Sequence, residues 1–174
     1  MTQTMTINDQ LVELGELSGN EETAVQRVGA RMIDTFISTW DADNKPDVEA
    51  TANMLYYLTD IQVRDYALGI LDAYDADDTE QALTYLMEQA PTDSAYINAP
   101  AALLAQFYYE YGRKDDAYTS LSNAQENYSL ALLLFRVFNA GWAPEGFARM
   151  REELHPQVVK NIFGEEDNDD STNA

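Results

Sequence analysis

The chain has 174 residues, 45% of them apolar, with 31 acidic against 10 basic side chains and no cysteine. That length supports one real hydrophobic core, and the apolar share excludes a chain disordered throughout. The formal charge of −21 opposes contact with DNA, RNA or an anionic bilayer, which are polyanions themselves, while the missing cysteines remove disulfides, thiolate zinc sites and thiol nucleophiles together.

The first residues, MTQTMTINDQLVELGEL, show no basic patch ahead of an apolar run, so no signal peptide is expected. No stretch approaches about 18 uncharged apolar residues, so nothing is expected to span a membrane. A cytoplasmic protein is the expectation.

Residues 1–19 form an N-terminal segment expected to be partly helical, over 7–17, with Ile7, Leu11 and Leu14 on one side. A second helix is expected from Asn20, its cap, with Glu21 and Glu22 in the first turn, where the helix dipole favours anions. Val25, Val28, Met32, Ile33, Phe36, Ile37 and Trp40 then recur at steps of three and four, a stripe that predicts burial. The segment DADNKPD at 41–47 ends it. A third helix is predicted over 47–59 with Val48, Leu55 and Leu58 inward. A fourth is predicted over 61–74, striped by Val63, Tyr66, Ala67, Ile70, Leu71 and Tyr74. The acids Asp75, Asp77 and Asp78 then read as a loop, and Asp78 with Gln81 fits a capping box for a fifth helix over 79–90. A sixth runs over 99–111 and stops at Gly112, a seventh over 114–127. Ser129 is placed to cap the apolar eighth, LALLLFRVF, which ends by Gly141. A ninth begins near Pro144 and runs to Leu154, after which Pro156 opens a last short turn closed by Gly164. The tail over 165–174, EEDNDDSTNA, is expected to be disordered. The fold class is therefore all-α, a compact array of about eight or nine helices forming one domain over 20–164.

Within 101–128, Ala105, Tyr108, Tyr109, Gly112, Ala117, Leu121 and Ala124 match the spacing of the tetratricopeptide signature. Ala105 and Ala117 let two antiparallel helices approach closely, the aromatics fill the wedge between them, and Gly112 permits a left-handed turn. The repeat-end proline of that signature is missing. A poorer copy lies 35 residues earlier, with Tyr74, Ala82 and Leu86 in the corresponding places. Val63-Arg64-Asp65 with its apolar helix, the hairpin at 101–128 and the run SLALLLFRVFNAGWAP at 129–144 also resemble the C-terminal half of an uncharacterised actinobacterial family known as a domain of unknown function. The likeness covers roughly residues 50–145. It implies a helical fold and an actinobacterial or phage origin, and it implies no activity.

Little in the chain points to chemistry. His155 is the only histidine, and no Gly-x-Ser-x-Gly elbow accompanies it, so a surface or capping role is expected. The cluster Asp72, Asp75, Asp77, Asp78 fails as a calcium loop, because the sixth and twelfth positions from Asp75 hold Glu80 and Leu86 in place of glycine and glutamate. The isolated glycines fit no phosphate fingerprint; Gly29 and Gly69 fit close helix packing instead. Most of the 11 tyrosines are expected to pack between helices, and Arg64 to pair with Asp65. No catalytic, cofactor or metal residues are assigned, and an enzyme is the weakest reading.

The leading expectation is a protein-interaction module for a basic protein partner, with no direct nucleic-acid or membrane binding. Asp72, Asp75, Asp77, Asp78 and Tyr111 are its candidate contact residues. The alternative is a phage- or plasmid-type DNA mimic that inhibits a DNA-binding protein. A chain this size is ~40 Å across, and DNA of that length carries ~24 phosphates, close to the charge of −21. Mimicry would require that charge to be segregated onto one face. Adaptation to a salty cytoplasm is a third reading.

Overall fold

The computed structural model of the protein describes residues 6–11 and 22–164. Among them are nine α-helices, one 3-10 turn at Ala95–Ile97 and no strand. Residues 7–11 are helical (α1), followed by α2 (Glu22–Ser38), α3 (Val48–Tyr57), α4 (Ile61–Gly69) and α5 (Ala76–Gln89). The rest are α6 (Asn98–Glu110), α7 (Lys114–Leu121), α8 (Ser129–Asn139) and α9 (Pro144–Phe163). The expected cap at Asn20, the contact of Leu14 and the tail over 165–174 fall outside the described residues.

α6 is the central rod. Ala101, Ala102, Leu103, Leu104 and Ala105 are all buried, and so are Phe107 and Tyr109. Leu103, Leu104 and Phe107 join the core built by α2, α3, α4 and α5, while Ala102, Ala105 and Tyr109 join a second core with α7, α8 and α9. Burying both sides of one helix against different partners binds the two cores together. α6 and α7 pack against each other more extensively than any other pair. Ala105 and Ala117 are both fully buried there, and Gly112 turns the chain at φ +73°. The Arg113 N–H then donates to the Tyr108 carbonyl at 2.9 Å, satisfying an end-of-helix acceptor.

Several boundaries depart from the sequence expectation. α4 stops at Gly69, five residues early, and 70–74 form turns, although Ile70 and Leu71 are still buried. α5 begins three residues early, because Asp75 rather than Asp78 is its cap: the Asp75 carboxylate accepts the Asp78 N–H at 3.1 Å. α7 ends at Leu121, six residues early. Ser122 and Asn123 turn their side chains onto the Thr119 carbonyl, which competes with further helical bonding. Ser129 is the first residue of α8, not its cap. Val28 and Val48, expected inward, are exposed at 44% and 36%.

The largest correction concerns α9, which runs unbroken through Pro156. Proline removes one helical hydrogen bond and crowds the preceding turn. Tertiary contacts beyond it hold the helix. Ile162 is buried, its carbonyl accepts the Arg27 Nε–H at 3.0 Å, and the Phe163 ring lies 6.2 Å from Tyr66 beneath Arg31.

Candidate functional site

The structure gives the acids singled out in the sequence mostly structural work. Asp75 caps α5, and Asp77 and Asp78 occupy its first turn, where the dipole favours them. Asp72, 61% exposed, accepts from Arg151 at 3.2 Å. Tyr111 caps α6 with its ring 4.7 Å from Phe107 and is 54% exposed. These residues are not one cluster: Asp72 belongs to the α9 side. Asp77, Asp78 and Tyr111 do share an end of the molecule, because Glu80 on α5 reaches both Tyr108 and Arg113 beside the α6–α7 turn.

A groove on the outer face of α5 is the better candidate. It has a volume of about 410 Å³ and lies between Trp40, Tyr85 and Tyr108, with Glu80 and Glu88 on its rim. Trp40 is anchored by its Nε1–H donating to the Gln81 side chain at 3.1 Å and by the Tyr85 ring at 5.4 Å. The Tyr85 hydroxyl donates to the Pro46 carbonyl at 3.3 Å. Two of the chain's own cations already sit on these rings. Lys45 Nζ lies 5.7 Å from the Tyr85 ring centre, and the Arg113 guanidinium 4.4 Å from that of Tyr108. Arg113 also forks onto Glu80, with both oxygens 3.0 Å from Nη1. Such a lining suits ammonium and guanidinium groups: quadrupoles face the charge and carboxylates receive its hydrogens. Burial, then Glu80, raises the Tyr108 phenol above its ordinary pKa, so it stays a donor.

Sequence reasoning missed Trp40, Tyr85, Tyr108, Glu80 and Glu88 as a site. The available signal was the repeat of Glu80, Thr84 and Glu88 at steps of four, the polar face of α5.

A second polar cluster joins α2, α4 and α9. Asp34 accepts from the hydroxyls of Tyr66 and Tyr74, the latter at 2.7 Å. The hydrogen bond to Asp34, with some burial, pushes the Tyr74 phenol up to about 12. His155 was expected at a helix end, in a surface or capping role. It instead lies inside α9, half-buried, with its ring 5.2 Å from Tyr66 and its Nδ1 buried without a hydrogen-bond partner. A Cβ on Gly69 would come within 1.8 Å of that nitrogen, so the glycine makes room for the ring. Gly29 likewise lies tight against Val63.

His155 should therefore couple stability to pH. Burial holds its pKa below the ordinary value and Arg151 pushes the same way, while Asp34 and Asp72 oppose them. In the window just below pH ~6.5 the unfolded chain binds a proton that the folded chain resists. Stability is thus fully present above that window and falls as pH drops through it. Comparing melting temperatures across pH 7.5 to 5.5 for wild type and His155→Gln should show a steeper acid loss in wild type. Parallel profiles would remove His155 from the account.

Among the described residues no group of three histidine or acidic side chains is placed to hold a metal ion, and no helix is long and apolar enough to cross a membrane. No curated protein and no solved structure matches the chain. One family model does, over residues 6–145, and it is described as a domain of unknown function, DUF4192. The match begins well ahead of residue 50, so it takes in α1, α2 and α3 as well as the hairpin and α8. Over that span, and with the Val63-Arg64-Asp65 and α8 segments inside it, the chain belongs to the DUF4192 family.

Proposed function

We propose that the protein is a non-catalytic, acidic interaction module that binds a basic protein partner through the α5 groove. The observation that carries this reading is the pair of internal cations, Lys45 and Arg113, resting on Tyr85 and Tyr108 beside Glu80. A lysine- or arginine-rich partner would extend the same contacts, with Glu88 as a carboxylate that has no ion-pair partner among the described residues. The α6–α7 hairpin, in this reading tetratricopeptide-like, supplies the rigid support, since Tyr108 and Arg113 both project from it. Around Asp34 the hydroxyls of Tyr66 and Tyr74 are both engaged with the carboxylate, which supports a structural role for that cluster.

The test is capture of basic proteins at low and moderate salt. Wild type should retain a basic protein at about 50 mM salt and release it by about 300 mM, since screening shortens the reach of exposed charges. Glu80→Gln with Glu88→Gln should weaken capture about tenfold or more, by loss of two charge-assisted contacts. Capture that ignores both substitutions would remove the α5 groove as the seat.

Mimicry of DNA is the second reading, favoured by one observation. Residues 22–128 hold 19 acidic and 6 basic side chains, whereas residues 129–164 hold three acidic (Glu145, Glu152, Glu153) and four basic (Arg136, Arg149, Arg151, Lys160). The acidity is thus withheld from one part of the fold. If the captured protein binds duplex DNA and the chain displaces that DNA, mimicry is the better description; co-occupancy favours simple charge-guided binding.

A further inference from the structure

The segment spared by the acids is also the one that exposes apolar surface. α8 buries Leu130, Ala131, Leu134 and Phe138 against the core, which uses only part of its circumference. Leu132, Leu133 and Phe135 remain 47%, 54% and 50% exposed, with Trp142 at 42% just beyond and Leu154 at 56% on α9. These are five of the nine large apolar side chains exposed among the described residues, and they fall within one short stretch of chain rather than scattered. α8 and α9 are joined by a short loop, yet they diverge. α8 rests on α6 and α7, whereas α9 rests on α4, α2 and α6. A cleft of about 270 Å³ opens beside α8, lined by Leu133, Val137, Met150 and Leu154. A smaller one, about 190 Å³, lies on its other flank beside Leu132, Phe135 and Glu126.

We propose that this face is the seat of a second copy of the chain, in a two-fold dimer built on α8. The charge pattern selects that occupant. A basic partner would seek carboxylates, and α8 has none; its only charge is Arg136. A second copy brings the same near-neutral, apolar face and leaves the acidic surfaces of both copies elsewhere. With the two-fold axis perpendicular to α8 the paired helices run antiparallel, which turns Arg136 of each copy toward the α8 N-terminal end of the other. The exposed Glu126 lies there, with no ion-pair partner among the described residues. The α5 groove takes no part, so this dimer stands or falls independently of the basic partner.

Sedimentation or light scattering of the full chain tests it. As concentration rises, the mass should move from 19.6 kDa toward twice that value. Added salt should strengthen the dimer, because it screens the repulsion between two strongly acidic bodies. That is the opposite of the salt response expected for a basic partner. Leu133→Glu and Phe135→Glu, at half-exposed positions, should each hold the chain at the monomer mass while helix content and melting temperature stay near wild type. Glu80→Gln should leave the dimer intact. A wild type that remains monomeric at about 200 µM, where mass action favours association, overturns the proposal. So does a dimer indifferent to both α8 substitutions, or one dissolved by salt. A monomer that instead takes up uncharged lipid vesicles through Leu133 would name a different occupant and equally overturn it.

Discussion

Tyr109→Ala is expected to lower the unfolding free energy by about 3–5 kcal/mol, the range for deleting a large buried aromatic. Tyr109 is fully buried where α6 meets α8 and the start of α9. Its ring stacks on Phe138 at 4.3 Å with planes 6° apart, and meets Phe147 edge-on at 5.4 Å. The hydroxyl donates to the Trp142 carbonyl at 2.5 Å, pinning the α8–α9 turn. Alanine would remove the ring from between two aromatic neighbours that are fixed by their own helices, so the void would close only partly. Tyr109→Phe separates the contributions. It keeps the stack and loses the hydrogen bond, and should cost only about 1 kcal/mol. Urea unfolding of the three proteins, read as midpoint shifts at unchanged slope, gives the comparison. An alanine variant that unfolds like wild type would mean that Tyr109 does not join these helices.

That prediction could be framed from the sequence, because the relevant signal is local. Tyr109, Ala105 and Ala117 hold their hairpin places through spacing along two adjacent helices, and Gly112 marks the turn between them. Most of the α2 stripe was legible for the same reason, Ile33, Phe36, Ile37 and Trp40 being buried and Val28 not, as were Gly29 and Gly69 as close-packing sites. What escaped is what depends on distant partners. Pro156 reads as a break until Arg27, Arg31 and Tyr66 are seen to hold the turns after it. The Ile70–Tyr74 stretch keeps an apolar pattern but reaches its burial through turns, and a periodicity cannot tell the two apart. Asp75 and Asp78 are both plausible caps three residues apart, and only the backbone chooses between them. Of the α5 groove only the polar stripe of α5 was legible, because Trp40, Tyr85 and Tyr108 come from different parts of the chain. In α8 the apolar run was plain, yet apolarity alone does not say which of its residues a neighbour covers.

Arg151→Ala is expected to rank next, at about 3 kcal/mol, for a reason tied to charge rather than volume. Arg151 is 8% exposed and holds α9 to three places at once. Its Nη2 lies 2.6 Å from Glu110 on α6, its Nε–H donates to the Leu68 carbonyl at 3.2 Å, and its Nη1 reaches Asp72 at 3.2 Å. Burial alone would discourage the guanidinium charge, and the hydrogen bond and charge of Glu110, with a smaller share from Asp72, more than offset that. Removing the arginine strands Glu110, only 13% exposed, with the Gln106 amide at 3.3 Å as its remaining donor. A nearly buried carboxylate without its counter-charge is costly, whereas removing both partners together is cheaper. Arg151→Met with Glu110→Gln should therefore recover much of the loss. Asp72→Asn should cost under about 1 kcal/mol, because Asp72 is 61% exposed and its attraction is screened by water. The damage should also be local: amide exchange in α9 should accelerate before that in α6, since α9 loses three attachments and α6 one. If Arg151→Ala proves no worse than Asp72→Asn, the charge pair contributes little and α9 is held by Phe147, Ile162 and the Tyr66–Phe163 contact instead.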